Sequence, residues 1–317
     1  MSEKSPLSRR DAIKTSALTV GALAWATTPA HTQSSTSASA PFRYCLNTST
    51  IRGQELSLEE EIDVTAKAGY SGIEPWLRKI HEHKENGGSL SDIKKRLEDL
   101  GLTVESAIGF ANWVVDDDEK RTAALEEAKR DMDALAQIGA LRIAAPPAGA
   151  NKSPGLNLDA AAERYRQLLE LGDEIGVTPQ VEIWGPSANL HKIGEAMYVA
   201  GQSGHPKACI LTDVYHLYKG GNDFAALNLL SKHALQVMHM NDYPADPPRN
   251  TIKDSDRVYP GDGIAPIPSI LQTMLNNGAS PVLSLELFNK SYWEKPALET
   301  AKTGLEKMKA VVATALA

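Results

Sequence analysis

From Pro41 onward, short β-rich runs alternate with longer runs whose apolar residues return every three or four positions. The short runs predict strands over 43–47, 72–76, 103–109, 142–145, 178–183, 208–213, 236–240 and 282–287. Between them lie amphipathic helical patterns. Leu58, Ile62, Val64, Thr65 and Ala68 mark the first, Ile93, Leu97 and Leu100 the second, and Leu125, Ala128, Met132, Leu135 and Ile138 the third. Gly69, Gly101, Gly139 and Gly176 each stand just past a helical run, where a left-handed C-terminal cap is expected. Strand–helix alternation implies a parallel sheet, and eight such units imply a single (β/α)8 TIM barrel of the α/β class. A doubly wound sheet is the alternative, but no GxGxxG or GxxxxGK stretch anchors a nucleotide. The rhythm breaks once, between Asn241 and Gly263, where Pro, Asp and Gly replace any apolar period. A loop of that length after the seventh strand predicts a cap over the barrel mouth.

The first forty residues carry a different pattern. Ser8-Arg9-Arg10-Asp11-Ala12-Ile13-Lys14 precedes an apolar stretch from Ala17 to Ala26 and a Ser/Thr/Ala-rich tract to Ala40. A basic start, a short apolar centre and small residues after it read as an export signal, and the arginine pair resembles the twin-arginine type. Cleavage after Ala30 or nearer Ala40 is left open. The expected organisation is a signal and linker over 1–40 and one barrel over 41–317, with a periplasmic or extracellular mature protein. The chain has 317 residues, and the 277 that remain after removal of forty suit one barrel. A net charge of −7 removes the basic footprint of a nucleic-acid binder. The two cysteines, Cys45 and Cys209, fall in expected strands and read as small core residues.

Barrel strands are packed on both faces and should end as they run, in apolar residues. Four neighbouring strands here end in ionisable ones instead: Glu182, Asp213, His239 and Glu286. Any one alone reads as a strand-end salt bridge. Three carboxylates and an imidazole on consecutive strands would repel at one barrel mouth, and a divalent cation turns that repulsion into binding. Three oxygens and one nitrogen suit Mn²⁺ best, with Mg²⁺, Co²⁺ or Zn²⁺ also compatible. Glu74 ends the second strand and is a candidate ligand or substrate contact. Trp113, beside Asn112 after the third strand, is a candidate wall for a sugar ring or a packing residue. His81, Glu82 and His83 lack the HExxH spacing and read as a solvated loop.

The motifs QVEIWG, LTDVYH, HMND, RVYPGDG and SLELF together resemble the xylose isomerase-like barrel superfamily of sugar isomerases and epimerases, inosose isomerases and dehydratases. The resemblance covers the second half of the barrel in order and spacing, and the first half in rhythm alone. It implies one metal held by Glu182, Asp213, His239 and Glu286, with the two glutamates as the acid/base pair. It further implies substrate contacts from His216 and Arg257. Ketose epimerases carry an additional acid shortly after the first metal glutamate, whereas 185–189 here reads Gly-Pro-Ser-Ala-Asn. The endonuclease branch needs a third-position histidine where Asp256-Arg257-Val258 supplies valine.

The chemistry expected of such a site is removal of the proton α to a carbonyl by a glutamate, giving an enediolate. Return of the proton yields an isomer or epimer. A β-leaving group would make the same site a lyase or dehydratase on an oxidised sugar or inosose. A sugar-binding protein on a degenerate barrel is a third reading, disfavoured by two opposed glutamates. The expected partner is a small carbohydrate, with neither nucleic acid nor, after signal cleavage, membrane; self-association is left open.

Overall fold

A computed structural model describes residues 41–317; the expected export segment, 1–40, lies outside the described residues. All eight strands form: β1 (Tyr44–Asn47), β2 (Gly72–Glu74), β3 (Thr103–Val104), β4 (Arg142–Ala145), β5 (Thr178–Glu182), β6 (Ile210–Asp213), β7 (Leu235–Met240) and β8 (Val282–Leu285). They pair in parallel in the order β3-β2-β1-β8-β7-β6-β5-β4. Between the two ends of that order there is no continuous ladder. Two backbone hydrogen bonds, Leu141 N to Val104 O (3.0 Å) and Ala144 N to Ala107 O (2.9 Å), close the ring there.

Among the described residues ten helices accompany the strands: α1 (Leu58–Ala68), α2 (Leu77–Glu85), α3 (Leu90–Asp99), α4 (Asp118–Gln137), α5 (Leu158–Ile175), α6 (Ile193–Gln202), α7 (Val214–Lys219), α8 (Ile267–Asn276), α9 (Lys290–Trp293) and α10 (Ala297–Leu316). Helix α10 packs on both α1 and α8, so the outer ring closes as well. Among the described residues no helix is long and apolar enough to cross a membrane.

The four expected cap glycines, Gly69, Gly101, Gly139 and Gly176, all have left-handed φ, between +68° and +95°. Strands β2, β3 and β8 end earlier than the pattern predicts. Pro75 stops β2, because proline has no N–H for the ladder. After β3, residues 105–108 keep single hydrogen bonds to their neighbours but lose regular pairing.

The larger correction concerns His81, Glu82 and His83. They lie on helix α2, not on a solvated loop. His81 Nε2 is 2.6 Å from Asp131 of α4, and His83 Nδ1 is 3.1 Å from Glu59 of α1. Only Leu77 and Ile80 of α2 are buried, too few apolar positions to reveal a helical period.

Helix α1 also differs from its pattern. Its buried face is Leu58, Glu61, Ile62, Thr65 and Ala68, with Glu61 taking an inward position. Cys45 and Cys209 are fully buried, as a core role requires, and burial pushes the Cys209 thiol up to about 12.

Candidate metal centre and pocket

Strand register builds the site. Asp213 of β6 pairs with His239 of β7, His239 pairs with Ser284 of β8, and Asn47 of β1 pairs with Glu74 of β2. Glu286 stands two residues past Ser284 on the same face, still tied to the sheet through its N–H to Met240 O (3.0 Å). Glu182 ends β5. All four expected ligands are buried, and the structure brings three of them into one cluster. Ligand atoms of Asp213, His239 and Glu286 lie within 4.8 Å of one another. Nδ1 of His239 is 3.2 Å from Glu286 Oε2, 3.9 Å from Asp213 Oδ2 and 4.0 Å from Glu182 Oε1.

That nitrogen is the test of fit for a cation. It is buried without a hydrogen-bond partner and faces three carboxylates. The opposite nitrogen, Nε2, lies 3.0 Å from Glu74 Oε2. A carboxylate accepts only, so Glu74 keeps a ring proton on Nε2. Burial would lower the His239 pKa, but Glu286 and Glu74 outweigh it and hold it above the ordinary value, and a bound cation would take the place of the Nδ1 proton. The donor set fits a divalent cation held by Asp213, His239 and Glu286, with Glu182 beside them.

Glu74 therefore occupies a different place from the one its strand-end position suggests. It does not line the pocket. It is fully buried behind His239, with Ser284 Oγ donating at 2.7 Å and Asn47 Nδ2 at 3.0 Å. Burial would raise its pKa, but His239 and these hydrogen bonds offset burial and hold it below the ordinary value. Glu74→Gln should weaken divalent-metal affinity by about tenfold to a hundredfold, because an amide no longer dictates which nitrogen carries the proton. Metal titration of wild type and variant measures it; equal affinities would show that His239 is oriented by something else.

Asp213 does two jobs. Its Oδ1 accepts from His216 N at 2.6 Å, capping α7, while Oδ2 accepts from Asn241 Nδ2 at 2.7 Å and Arg257 Nη1 at 3.0 Å. The Asp-x-x-His spacing is thus the spacing of an N-cap and its third helical residue. Burial pushes His216 down to about 4, with Arg257 adding to burial and Asp213 opposing it. The neutral ring then accepts from Arg257 Nη2 at 3.1 Å.

Arg257 lines the pocket and binds inward as well, with Nη1 also on Glu286 Oε2 at 2.8 Å. Asp254 pairs with its other nitrogen, and its guanidinium lies over Tyr215. Burial pushes Glu182 up to about 8, with Glu286 adding to it against His239. For Glu286, burial is outweighed by His239 and Arg257, and the pKa falls below the usual carboxylate value. One glutamate keeps its proton where the other has lost it, the arrangement that sets an acid against a base.

Above the cluster opens a cavity of about 520 Å³. Its wall is a run of aromatic rings: Trp184 against Phe110 (6.1 Å), Phe110 against Trp76 (5.3 Å), and Trp76 against Phe288 (6.1 Å). Trp113 is not among them. It is buried in the core, tilted against Tyr165 (ring centres 5.8 Å apart), with its N–H on Pro146 O at 2.8 Å. Of the two readings of Trp113, the packing one holds, and the aromatic wall is built by other residues.

The loop after β7 reaches the cavity through Asp254, Ser255 and Arg257. Asp242 anchors it: its carboxylate accepts from the backbone N–H groups of Tyr243, Gly261, Gly263 and Ala265 at 2.7–3.1 Å. Gly185, in the stretch without an acid, packs directly on α7. A Cβ there would lie 2.5 Å from His216 O, so glycine is required for that approach.

Residues 62–311 match the model of a family described as xylose isomerase-like TIM barrel. The chain is similar to an inosose isomerase of Bacillus velezensis, 25% identical over 277 residues that span 85% of this chain and 97% of the relative. It is also similar to a 3-dehydroshikimate dehydratase of Pseudomonas putida, 22% identical over 80% of this chain and 39% of that one. Among solved structures, the IolI protein crystallised with a bound zinc atom superposes with a TM-score of 0.80. The identity is 19%, over 86% of this chain and 99% of that one.

Proposed function

The chain belongs to the xylose isomerase-like TIM barrel family, and from that premise we propose that it is a divalent-metal-dependent isomerase or epimerase of a keto-sugar or cyclitol. The observation that carries this is the unpartnered Nδ1 of His239, facing Glu182, Asp213 and Glu286 at the floor of an aromatic-walled cavity. A cation bound there, Mn²⁺ by preference with Mg²⁺, Co²⁺ or Zn²⁺ as alternatives, would polarise a substrate carbonyl and offset the charge that develops on its oxygen.

The chain's own residues supply the remainder. The aromatic wall takes the apolar face of a ring-shaped substrate and narrows access for water. Glu286, held ionised, removes the proton α to the carbonyl, and Glu182 returns one to the neighbouring carbon or to the opposite face. Arg257 keeps Glu286 and Asp213 in place throughout. His216, neutral and fixed by Arg257, is suited to contact a substrate hydroxyl. Similarity to the inosose isomerase of Bacillus velezensis supports an isomerisation of this kind.

A second reading keeps the same residues and changes the substrate. Where a hydroxyl sits β to the carbonyl, loss of the α-proton expels it and the enzyme is a dehydratase. Similarity to the Pseudomonas putida dehydratase and the lack of an acid in 185–189 favour it. Export by the twin-arginine route, with work in the periplasm or outside the cell, belongs to the same proposal and rests on residues 8–40 of the sequence.

Chelator-treated protein should be inactive and should recover with Mn²⁺. In deuterated water, a panel of keto-sugars and inososes followed by NMR separates the readings. Deuterium at the α-carbon without loss of water indicates isomerisation, and an unsaturated product indicates the lyase. No exchange on any substrate, together with no metal uptake, would sink both.

A further inference from the structure

The wall of the cavity nearest β1 and β8 carries a cation that the reaction above does not use. Arg52 lies on the 3-10 segment Thr48–Gln54, kinked at Ile51, that follows β1. Its guanidinium carbon is 5.0 Å from the ring centre of Trp76, 5.4 Å from Phe288 and 5.2 Å from Trp293. It lines the cavity, and among the described residues it makes no ion pair and no side-chain hydrogen bond.

The segment that carries it is fixed. Thr50 Oγ1 donates to Leu285 O at 2.9 Å and accepts from Leu287 N at 3.1 Å, and Trp293 Nε1 donates to Ser49 O at 3.1 Å. Arg257, in the same cavity, is ion-paired with Asp213, Asp254 and Glu286, whereas Arg52 has no acidic partner among the described residues. Lys290 lines the same side, exposed and likewise without an ion-pair partner among the described residues.

Aromatic faces attract the flat face of a guanidinium but satisfy none of its N–H groups. Three rings therefore hold Arg52 in one orientation and leave its edge of donors open to whatever fills the cavity. A planar, rigid fork of donors matches a carboxylate, which can accept two parallel hydrogen bonds. Phosphate is more often gathered by glycine-rich backbone N–H cradles, and the cavity lining has none.

We infer that Arg52 is a specificity residue that receives a carboxylate on the substrate, with Lys290 adding positive charge beside it. The substrate class is then a cyclic or open hydroxyketone bearing a carboxylate, rather than a neutral cyclitol ketone. The inference rests on the reading of this cavity as the substrate site. It places Arg52 in the same cavity as Glu182 and Glu286, against the ring of Phe288.

Isothermal titration of the full, metal-loaded protein tests it with three probes: 3-dehydroshikimate, its neutral methyl ester, and inosose. The wild type should bind the carboxylate tenfold or more tighter than the ester. Arg52→Gln should erase that preference while leaving inosose affinity unchanged, and Arg52→Lys should keep part of it. A purely structural Arg52 would instead lower affinity for all three probes alike, and that result overturns the inference. Equal wild-type affinity for acid and ester also overturns it, as does, in a separate titration with a ketose phosphate as a fourth probe, tighter binding of the phosphate than of the carboxylate. Deuterium exchange judges the reaction separately. Exchange on inosose combined with no acid preference leaves the isomerase standing and removes the role of Arg52. Acid preference without exchange on any probe does the reverse.

Discussion

Replacing Glu286 by glutamine is expected to slow α-proton exchange by about a thousandfold, within the range that a positioned general base contributes. The residue is set up for that task by four neighbours. Asn47 Nδ2 donates to Oε1 at 3.2 Å, Arg257 Nη1 donates to Oε2 at 2.8 Å, and His239 and Arg257 together hold the carboxyl ionised against the effect of burial. Asn241 reaches its backbone oxygen at 3.4 Å, which fixes the strand end. Glutamine keeps the shape but loses the charge and offers an N–H₂ group to partners that are themselves donors. Exchange is read by NMR in deuterated water, with metal content measured on the same sample. Glu182→Gln serves as the companion: its side chain already tends to hold a proton, so metal retention should be closer to wild type while turnover falls. A Glu286→Gln protein that exchanges at the wild-type rate refutes the assignment of the base.

The second large effect concerns stability and lies away from the cavity. Glu61, on the inward face of α1, is 1% exposed, and burial raises its pKa to about 8 despite Lys79, a hydrogen bond from Thr48, and Arg78. Glu82 pushes the same way as burial, and Oε2 has no hydrogen-bond partner. The unfolded chain returns this carboxyl to an ordinary value near 4.3. Between those two values the folded state binds the extra proton. Its contribution is complete below about pH 4.3 and is lost as pH rises towards 8.

Glu61→Gln imitates the protonated acid at every pH. Urea unfolding should therefore show wild type and variant nearly equal at pH 4. At pH 8.5 the variant should be more stable by a few kcal/mol, at about 1.4 kcal/mol per pH unit of displacement. A difference that stays constant between those pH values contradicts the burial argument.

The barrel was readable because its two signals are local. Glycine after four of the helices and apolar runs between them depend on a few residues each, and the strands formed where those runs lie. The candidate cation site drew on the opposite signal: Glu182, Asp213, His239 and Glu286 violate the apolar rule at the ends of neighbouring strands, and three of them, Asp213, His239 and Glu286, come together. The aromatic wall carried a signal too. Glu74-Pro75-Trp76, Glu182-Ile183-Trp184 and Glu286-Leu287-Phe288 each place an aromatic ring two residues beyond a carboxylate, on the same face and one step nearer the mouth. Trp113 drew notice as a tryptophan after a strand, but it has no such partner and turns into the core.

Asn47 and Arg52 were not legible. Asn47 joins Glu74 to Glu286 across two strand interfaces, and Arg52 meets rings from three separate segments. Neither neighbourhood exists until the barrel closes. Glu61 was hidden for a related reason, since an acid among apolar positions at helical spacing reads as belonging to the polar face.

The anchoring of the loop after β7 has a consequence for how such an enzyme can change. One carboxylate, Asp242, gathers amides from both sides of the excursion, and the paired backbone of Asp242 and Val258 closes its base. Most residues from Ala245 to Thr251 are exposed and contribute little to holding that base together. The excursion thus behaves as a replaceable cassette on a fixed mount. Its outer residues can be rewritten to suit a new substrate while Arg257, next to the mount, stays on Asp213 and Glu286. Tolerance to variation and constancy of the chemistry are here divided between two stretches of one loop.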